Sequence, residues 1–416
     1  MRIHQIITLF IMLIIVIGII LFRVTGLNPL IAQSDIHIDP AEYRADISLR
    51  CLNSRFRSDV IFVTDLETPL QFQYDLTLSK KPPAGYLPAP SNQAWHVTSG
   101  RVEERSGKAY WTGAYDGLQV ITLSGQVKFI PPEPTGLFAK KLPEITIPYE
   151  ASIDCFFPRK VEEIVDGKVN GFEVGIYPDP TDPEYLKQTS NAAVVKAHKQ
   201  IYQPPKYFYP VTPDTYRLKI FKDYTLGDFD LDPRFIKLTY PRYIAINPKI
   251  FVKLEMLEQV VRDQGVALSK FKIFYGFRSP LYNIGSREND GGTTLKSPFS
   301  THMYGMAVDI MIDEDDDLVI DDLNRDGKIT HADAVVLLKY VNILDKKLLE
   351  EKSDLLGGAG SYIHHDFWER GEYVQSPYVH IDVRGYRARW GAKDSIGILK
   401  EKEPYRLKKL IPSWPF

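Results

Sequence analysis

Cysteine is scarce in this chain, and neither sign of charge dominates it. Only Cys51 and Cys155 occur among 416 residues, too few for a disulfide framework to stand in for a hydrophobic core. Both lie in strand-like runs; an exported setting permits a bridge between them, and two buried thiols fit the same sequence. The 51 basic and 53 acidic side chains leave a formal net charge of -2, and no basic run appears. A nucleic-acid partner is therefore unsupported, because phosphate recognition needs a concentrated cationic surface. Of long apolar runs there is Ile6 to Phe22, preceded by Arg2 and closed by Arg23. It has the length of a membrane-crossing helix or a signal-peptide core. The Leu30-x-Ala32 step behind it is a poor cleavage site, which favours an uncleaved signal anchor with linker (1–34) over a cleaved signal peptide. Either way the remainder is expected to be exported.

The length suffices for two or three domains, each with a core. From 35 to 157 short alternating runs (Asp46–Leu52, Val60–Asp65, Leu70–Ser79, Ala109–Thr112, Leu118–Leu123 and Glu144–Ile147) are punctuated by Pro and Gly. That pattern predicts an all-β sandwich, and Trp111 with the run from Gly117 resembles the late strands of an Ig-like module. Residues 158–235 read as a connecting segment, with turns at Pro178, Pro180 and Pro183 and a stiff link at Pro204 and Pro205. Asn191 to Tyr202 fits either a short helix or a strand. Ile250, Leu254, Leu257 and Val261 recur at helical spacing, predicting an amphipathic helix from Pro248 to Gln264 with Gly265 as its stop. Lys272–Tyr275 reads as a strand, and 396–416 as a C-terminal tail.

Histidine and carboxylate meet around Gly305. His302 and Asp309 lie seven residues apart, on either side of that glycine. Beyond it the residues alternate, so Asp309 shares a strand face with Ala307 and Met311. A carboxylate in an apolar strand is costly unless paired, and a divalent metal shared with a nearby His is one adequate partner. Downstream, the period of two puts Tyr378, His380 and Asp382 on one face of a second strand.

The pattern Ser-x-His-x-x-Gly-x-Ala-x-Asp from Ser300 to Asp309, followed by a late His on a strand, resembles the zinc D-Ala-D-Ala carboxypeptidase superfamily. Its members cut peptidoglycan peptides and are related to the Hedgehog signalling domain. Upstream, Gly276, Arg278, Ser279, Pro280, Tyr282 and Asn283 resemble that family's Gly-Tyr-Arg-Ser-Pro-x-Tyr-Asn segment. The likeness spans roughly residues 205 to 392. It implies an α+β catalytic domain at 236–395, an antiparallel sheet with helices. It also implies His302, Asp309 and His380 as zinc ligands and Arg278 as the clamp on a substrate carboxylate, with Tyr282 and Ser300 in the substrate region. For Ser300 a bond within its own turn is the other reading. Two His and one Asp leave a fourth zinc position open, as a catalytic site requires.

One departure concerns the base. Many members place a catalytic Glu three residues before the last His ligand, where this chain has Pro377. Asp382 is the first candidate for that role, and Glu369, Glu372, His364 and His365, read as lying in a preceding loop, are the others. Alternatively Asp382 orients a ligand histidine or pairs with Arg384, Arg387 or Arg389.

Inserted around 313–345 is a segment that matches a calcium loop, with Asp322, Asn324, Asp326, Lys328, Thr330 and Asp333 as the ligand set and Gly327 as the turn glycine. It resembles the dockerin form of the EF-hand loop, which also ends in Asp. The alternative is a helix start capped by Thr330 and Asp333. The acidic run Asp313 to Asp317 reads as a solvated loop. The expected protein is thus a zinc peptidase, carboxypeptidase or endopeptidase, acting on peptidoglycan stem peptides or cross-links, with calcium in a structural role. It would be anchored in a bacterial inner membrane facing the periplasm, or secreted there. The competing expectation is a non-catalytic cell-wall binding or structural protein that retains the metal-bound fold, as Pro377 permits.

Overall fold

The computed structural model describes residues 39–133, 142–162, 164–182, 192–230, 240–283, 299–369 and 372–391. These described residues divide into one compact unit, at 39–46, 76–93, 125–133 and 142–149, and a second made of the other described residues. The first unit buries Tyr86, Val127, Phe129, Ile145, Ile147 and Tyr149, with Tyr43 packed edge-on against Phe129 at 5.3 Å. The second carries every candidate site residue.

The segment to 157 forms two four-stranded sheets. One orders Ala45–Cys51, Leu70–Leu78, Lys108–Thr112 and Arg101–Arg105; the other orders Ile61–Phe62, Ile145–Phe157, Gly117–Ile130 and Leu87–Val97. Within the second unit the two sheets share a core of Ile61, Leu70, Phe72, Trp111, Ile121, Cys155 and Phe157. Cys51 and Cys155 are both free thiols there. Burial pushes the Cys155 thiol upward, so it behaves as a small apolar side chain.

The rest of the second unit is built on one large core that runs from Val60 to Val383. Tyr207–Val211 pairs on one side with Arg242–Ile244 and on the other with Arg159–Lys160. Helix α1 is Ala192–Ile201, so the run that fits either a helix or a strand is helical over those residues. Helix α2, Lys249–Asp263, buries Ile250, Phe251, Leu254, Leu257 and Val261, the stripe that the spacing predicts. Gly265 follows it at φ +76°, a conformation that favours glycine. Helix α3 is His331–Glu350.

A five-stranded sheet carries the site, in the order Lys272–Tyr275, Ala307–Met311, Glu372–Asp382, Gly358–Glu369 and Ala388–Gly391. The first four strands pair antiparallel and the last is parallel to its neighbour.

The expected fold class needs correction. Among the described residues strand makes up 38% and helix 18%, so they are mostly β. No helix among the described residues is long and apolar enough to cross a membrane. The segment expected to do so, 1–34, lies outside the described residues, as does the tail 396–416. Residues 364–369 and 372 are also not in a loop: they belong to the two long strands of a hairpin, where the pairing runs on to Glu369 and Glu372.

Candidate metal centre

His302 sits in a single 3-10 turn, Thr301–Tyr304, closed by Gly305 at φ +64°. A Cβ on Gly305 would collide with the carbonyl of Ala245, so only glycine turns the chain here. The strand Ala307–Met311 follows at once, and the register sets Asp309 opposite His380. Tertiary pairing thereby joins residues 71 positions apart in sequence.

The three side chains converge. His302 Nε2 lies 3.2 Å from Asp309 Oδ1 and 3.0 Å from His380 Nδ1, and His380 Nδ1 lies 2.9 Å from the same oxygen. Ligands at bonds of about 2.0–2.1 Å on a tetrahedral zinc stand about 3.3 Å apart, close to this spacing. The far side of each ring is committed. His302 Nδ1 lies 2.7 Å from the Gly276 carbonyl, which can only accept, so this nitrogen donates and Nε2 of the neutral ring presents a lone pair. His380 Nε2 lies 3.2 Å from Asp382 Oδ2, which fixes its tautomer in the same way. Two lone pairs and a carboxylate thus face one another. That donor set fits a divalent metal.

The electrostatics agree. Burial drives the His302 pKa down to about 4, leaving the ring neutral at neutral pH. Burial opposes charge on His380 too, but hydrogen bonds to Asp309 and Asp382 outweigh it and raise its pKa. Burial would raise the Asp309 carboxyl, yet His302 and His380 hold it well below the usual range. Asp309 thus keeps its negative charge beside the two imidazoles.

Asp382 is fully buried and heavily engaged. It accepts from Gly358 N at 2.7 Å, from Arg384 N at 3.1 Å and from Arg384 Nε at 2.8–2.9 Å, besides His380. Burial works to raise its pKa, but Arg384 and His380 carry it well below the carboxylate range. So weak a base suits the alternative reading, a group that orients His380 and pairs with Arg384. The other two arginines go elsewhere: Arg387 and Arg389 both donate to Asn342, and Arg389 pairs with Asp345.

Arg278 reaches the same centre. Its Nη2 lies 3.6 Å from Asp309 Oδ2 and its guanidinium stands 5.3 Å over the Tyr275 ring. Its buried Nε makes no hydrogen bond among the described residues. Tyr282 donates its backbone N–H to Ser279 Oγ, and Ser300 accepts from Met303 N through its carbonyl while its side chain makes no capping bond.

Two groups escaped the motif reading. Lys253 on α2, fully buried, donates to the Asp382 carbonyl at 2.9 Å and pairs with Asp345 on α3. Trp390 packs its ring 5.1 Å from His380 and donates to Tyr362 Oη. Neither carries a motif, since only tertiary packing brings Lys253 to the Asp382 carbonyl and Trp390 to His380.

In the insertion, Thr330 and Asp333 form a capping box on α3. Asp333 also accepts from Asn324 N, and Asp322 accepts from Asp326 N and Gly327 N. Lys328 donates its backbone N–H to Asp326. Among the described residues, groups of three acidic or imidazole ligands within 4.8 Å form at two places, His302 with Asp309 and His380, and Asp313 with Asp315 and Asp317. The run expected as a solvated loop is exposed at Asp315 and Asp317, while Asp313 is buried.

Comparison with known protein families, curated proteins and solved structures finds no match.

Proposed function

We propose that the protein is a zinc-dependent hydrolase that cuts an amide bond in the stem peptides or cross-links of peptidoglycan. The observation that carries this reading is the meeting of His302 Nε2, Asp309 Oδ1 and His380 Nδ1, with both far ring nitrogens already bonded. These three residues would hold the ion. When bound there, zinc polarises a carbonyl and acidifies a water. Gly276 and Asp382 keep the two rings oriented, which preserves the lone pairs that a metal needs. Arg278 stands beside the ligands with an uncommitted donor, and its planar fork suits a peptide carboxylate. The choice of peptidoglycan rests on the resemblance of the motifs at 276–283 and 300–309, and it implies action outside the cytoplasm. A calcium ion in the Asp322–Asp333 loop belongs to the same proposal, with a structural role.

A second reading has its own support. Pro377 occupies the family's base position and Asp382 is locked by Arg384, which favours a metal-bearing cell-wall binding protein without turnover. Metal analysis of the purified full chain, followed by digestion of purified sacculi, decides between them. Released peptides, identified by mass, support the hydrolase and name the bond. Stoichiometric zinc and sacculus binding without release would leave the binding protein.

A further inference from the structure

Sheet register brings one more hydroxyl to the metal centre than the motifs contain. Across the five strands Tyr275 pairs with Asp309, Asp309 with His380, His380 with Gly360 and Gly360 with Trp390, in one row. Paired residues point to the same face of a sheet. Gly360 leaves a gap in that row, and a Cβ there would collide with Trp390 Nε1, so the indole nitrogen lies over the glycine. Tyr362 shares the face, because it pairs with Tyr378 two residues before His380, and the two rings stack at 4.7 Å. Its hydroxyl oxygen accepts the Trp390 Nε1–H at 2.8 Å. That bond ties the oxygen to the indole nitrogen over Gly360, on the sheet face that carries Asp309 and His380. The hydroxyl proton goes to no acceptor among the described residues.

We propose that Tyr362 is a further catalytic residue, whose hydroxyl donates a hydrogen bond to the scissile carbonyl oxygen as that oxygen gains negative charge. The inference rests on the hydrolase reading above. A neutral donor suits the task, and burial pushes the phenol up to about 12, so it keeps its proton. Donation from Trp390 into the hydroxyl oxygen polarises the O–H and strengthens it as a donor. Arg384, 5.2 Å over the Trp390 ring, holds the indole in place. No covalent step is assigned to the tyrosine.

The test uses the zinc-loaded full chain and a phosphinate isostere of the bond that the sacculus digest identifies, with the matching product peptide as control. Tyr362→Phe should keep one zinc per chain and weaken phosphinate binding by about 100-fold, the loss typical of one oxyanion donor. Product-peptide affinity should hold, and kcat should fall with KM little changed. Unchanged phosphinate affinity in the zinc-loaded variant overturns the inference. Should Tyr362→Phe lose zinc or fail to fold, Trp390→Phe decides, because it keeps an aromatic ring over Gly360 while removing the indole N–H together with the second ring. About 5-fold weaker phosphinate binding is then expected from the lost polarisation, and no change overturns the proposal. Wild-type protein that binds no zinc, or releases nothing from sacculi, sinks the hydrolase reading itself.

Discussion

His302 Nε2 and His380 Nδ1 lie 3.0 Å apart, each on a ring whose other nitrogen is already bonded, to the Gly276 carbonyl and the Asp382 carboxylate respectively. Two such nitrogens beside the Asp309 carboxylate make an arrangement that a cation completes. Replacing His302, Asp309 or His380 with Ala should therefore abolish stoichiometric zinc and hydrolysis together, because removing one of three protein ligands weakens such a site severely. Metal content by mass spectrometry is the readout. Full zinc in His380→Ala would sink the assignment.

Asp382→Asn separates an orienting carboxylate from a base. Loss of the charge that faces Arg384 and His380 should weaken zinc binding by about 10- to 100-fold, the usual cost of removing a ligand's outer partner. Competition with a chromogenic chelator measures it. Zinc affinity at the wild-type level, with hydrolysis gone, would return Asp382 to the role of base.

Lys253→Met tests the buried network behind the His380 strand. Lys253 and Asp345 are both fully buried and paired at 3.3 Å, and Lys253 also holds the Asp382 carbonyl. Removing one partner of a buried pair costs about 3–5 kcal/mol, and because Arg389 still faces Asp345 the lower end is expected. Chemical denaturation with unchanged m-value would show it. A change below about 0.5 kcal/mol, the scale of a neutral surface substitution, rules the network out as a stabilising element.

Calcium should raise the melting temperature of the wild-type chain through the Asp322–Asp333 loop, since a ligand of the folded state stabilises it. Asp322→Ala and Asp326→Ala should remove that rise while zinc-dependent hydrolysis persists. Equal shifts in wild type and both variants would leave the loop as a capped helix start, the bonding that Thr330 and Asp333 already make.

Asp313 supplies a pH-dependent term. Burial raises its carboxyl to about 6, against the pull of backbone N–H donors at Leu318 and Asp317. The folded state therefore favours the protonated form. Its contribution is fully present below the unfolded value near 4 and is lost as pH rises through 6, at most about 3 kcal/mol and less once solvent screening of this carboxyl is counted. Asp313→Asn, which cannot ionise, should gain stability relative to wild type as pH rises from 4 to 7. A constant difference across that range would contradict the assignment.

The candidate ligands were legible because their signals are local. Gly305 between His302 and Asp309, the alternation around Asp309 and the period of two through Tyr378, His380 and Asp382 each depend on a few neighbouring residues. Helix α2 was legible for the same reason: its stripe from Ile250 to Val261 repeats at helical spacing. The partners of those groups were not. Asp382 alone reads equally as a base or as an orienter, and the choice turns on Arg384, Gly358 and His380 meeting around it.

By itself, then, the sequence determined which side chains could bind a metal, the alternation that puts Asp309 and His380 on strands, and which residue, Pro377, fills the position where a base is expected. Tertiary structure alone decided the hairpin from Gly358 to Asp382, the row from Tyr275 to Trp390, and the burial of Lys253 against Asp345. Register and burial arise from pairing between distant segments. A one-residue shift in that pairing would turn His380 to the opposite face without altering any local pattern.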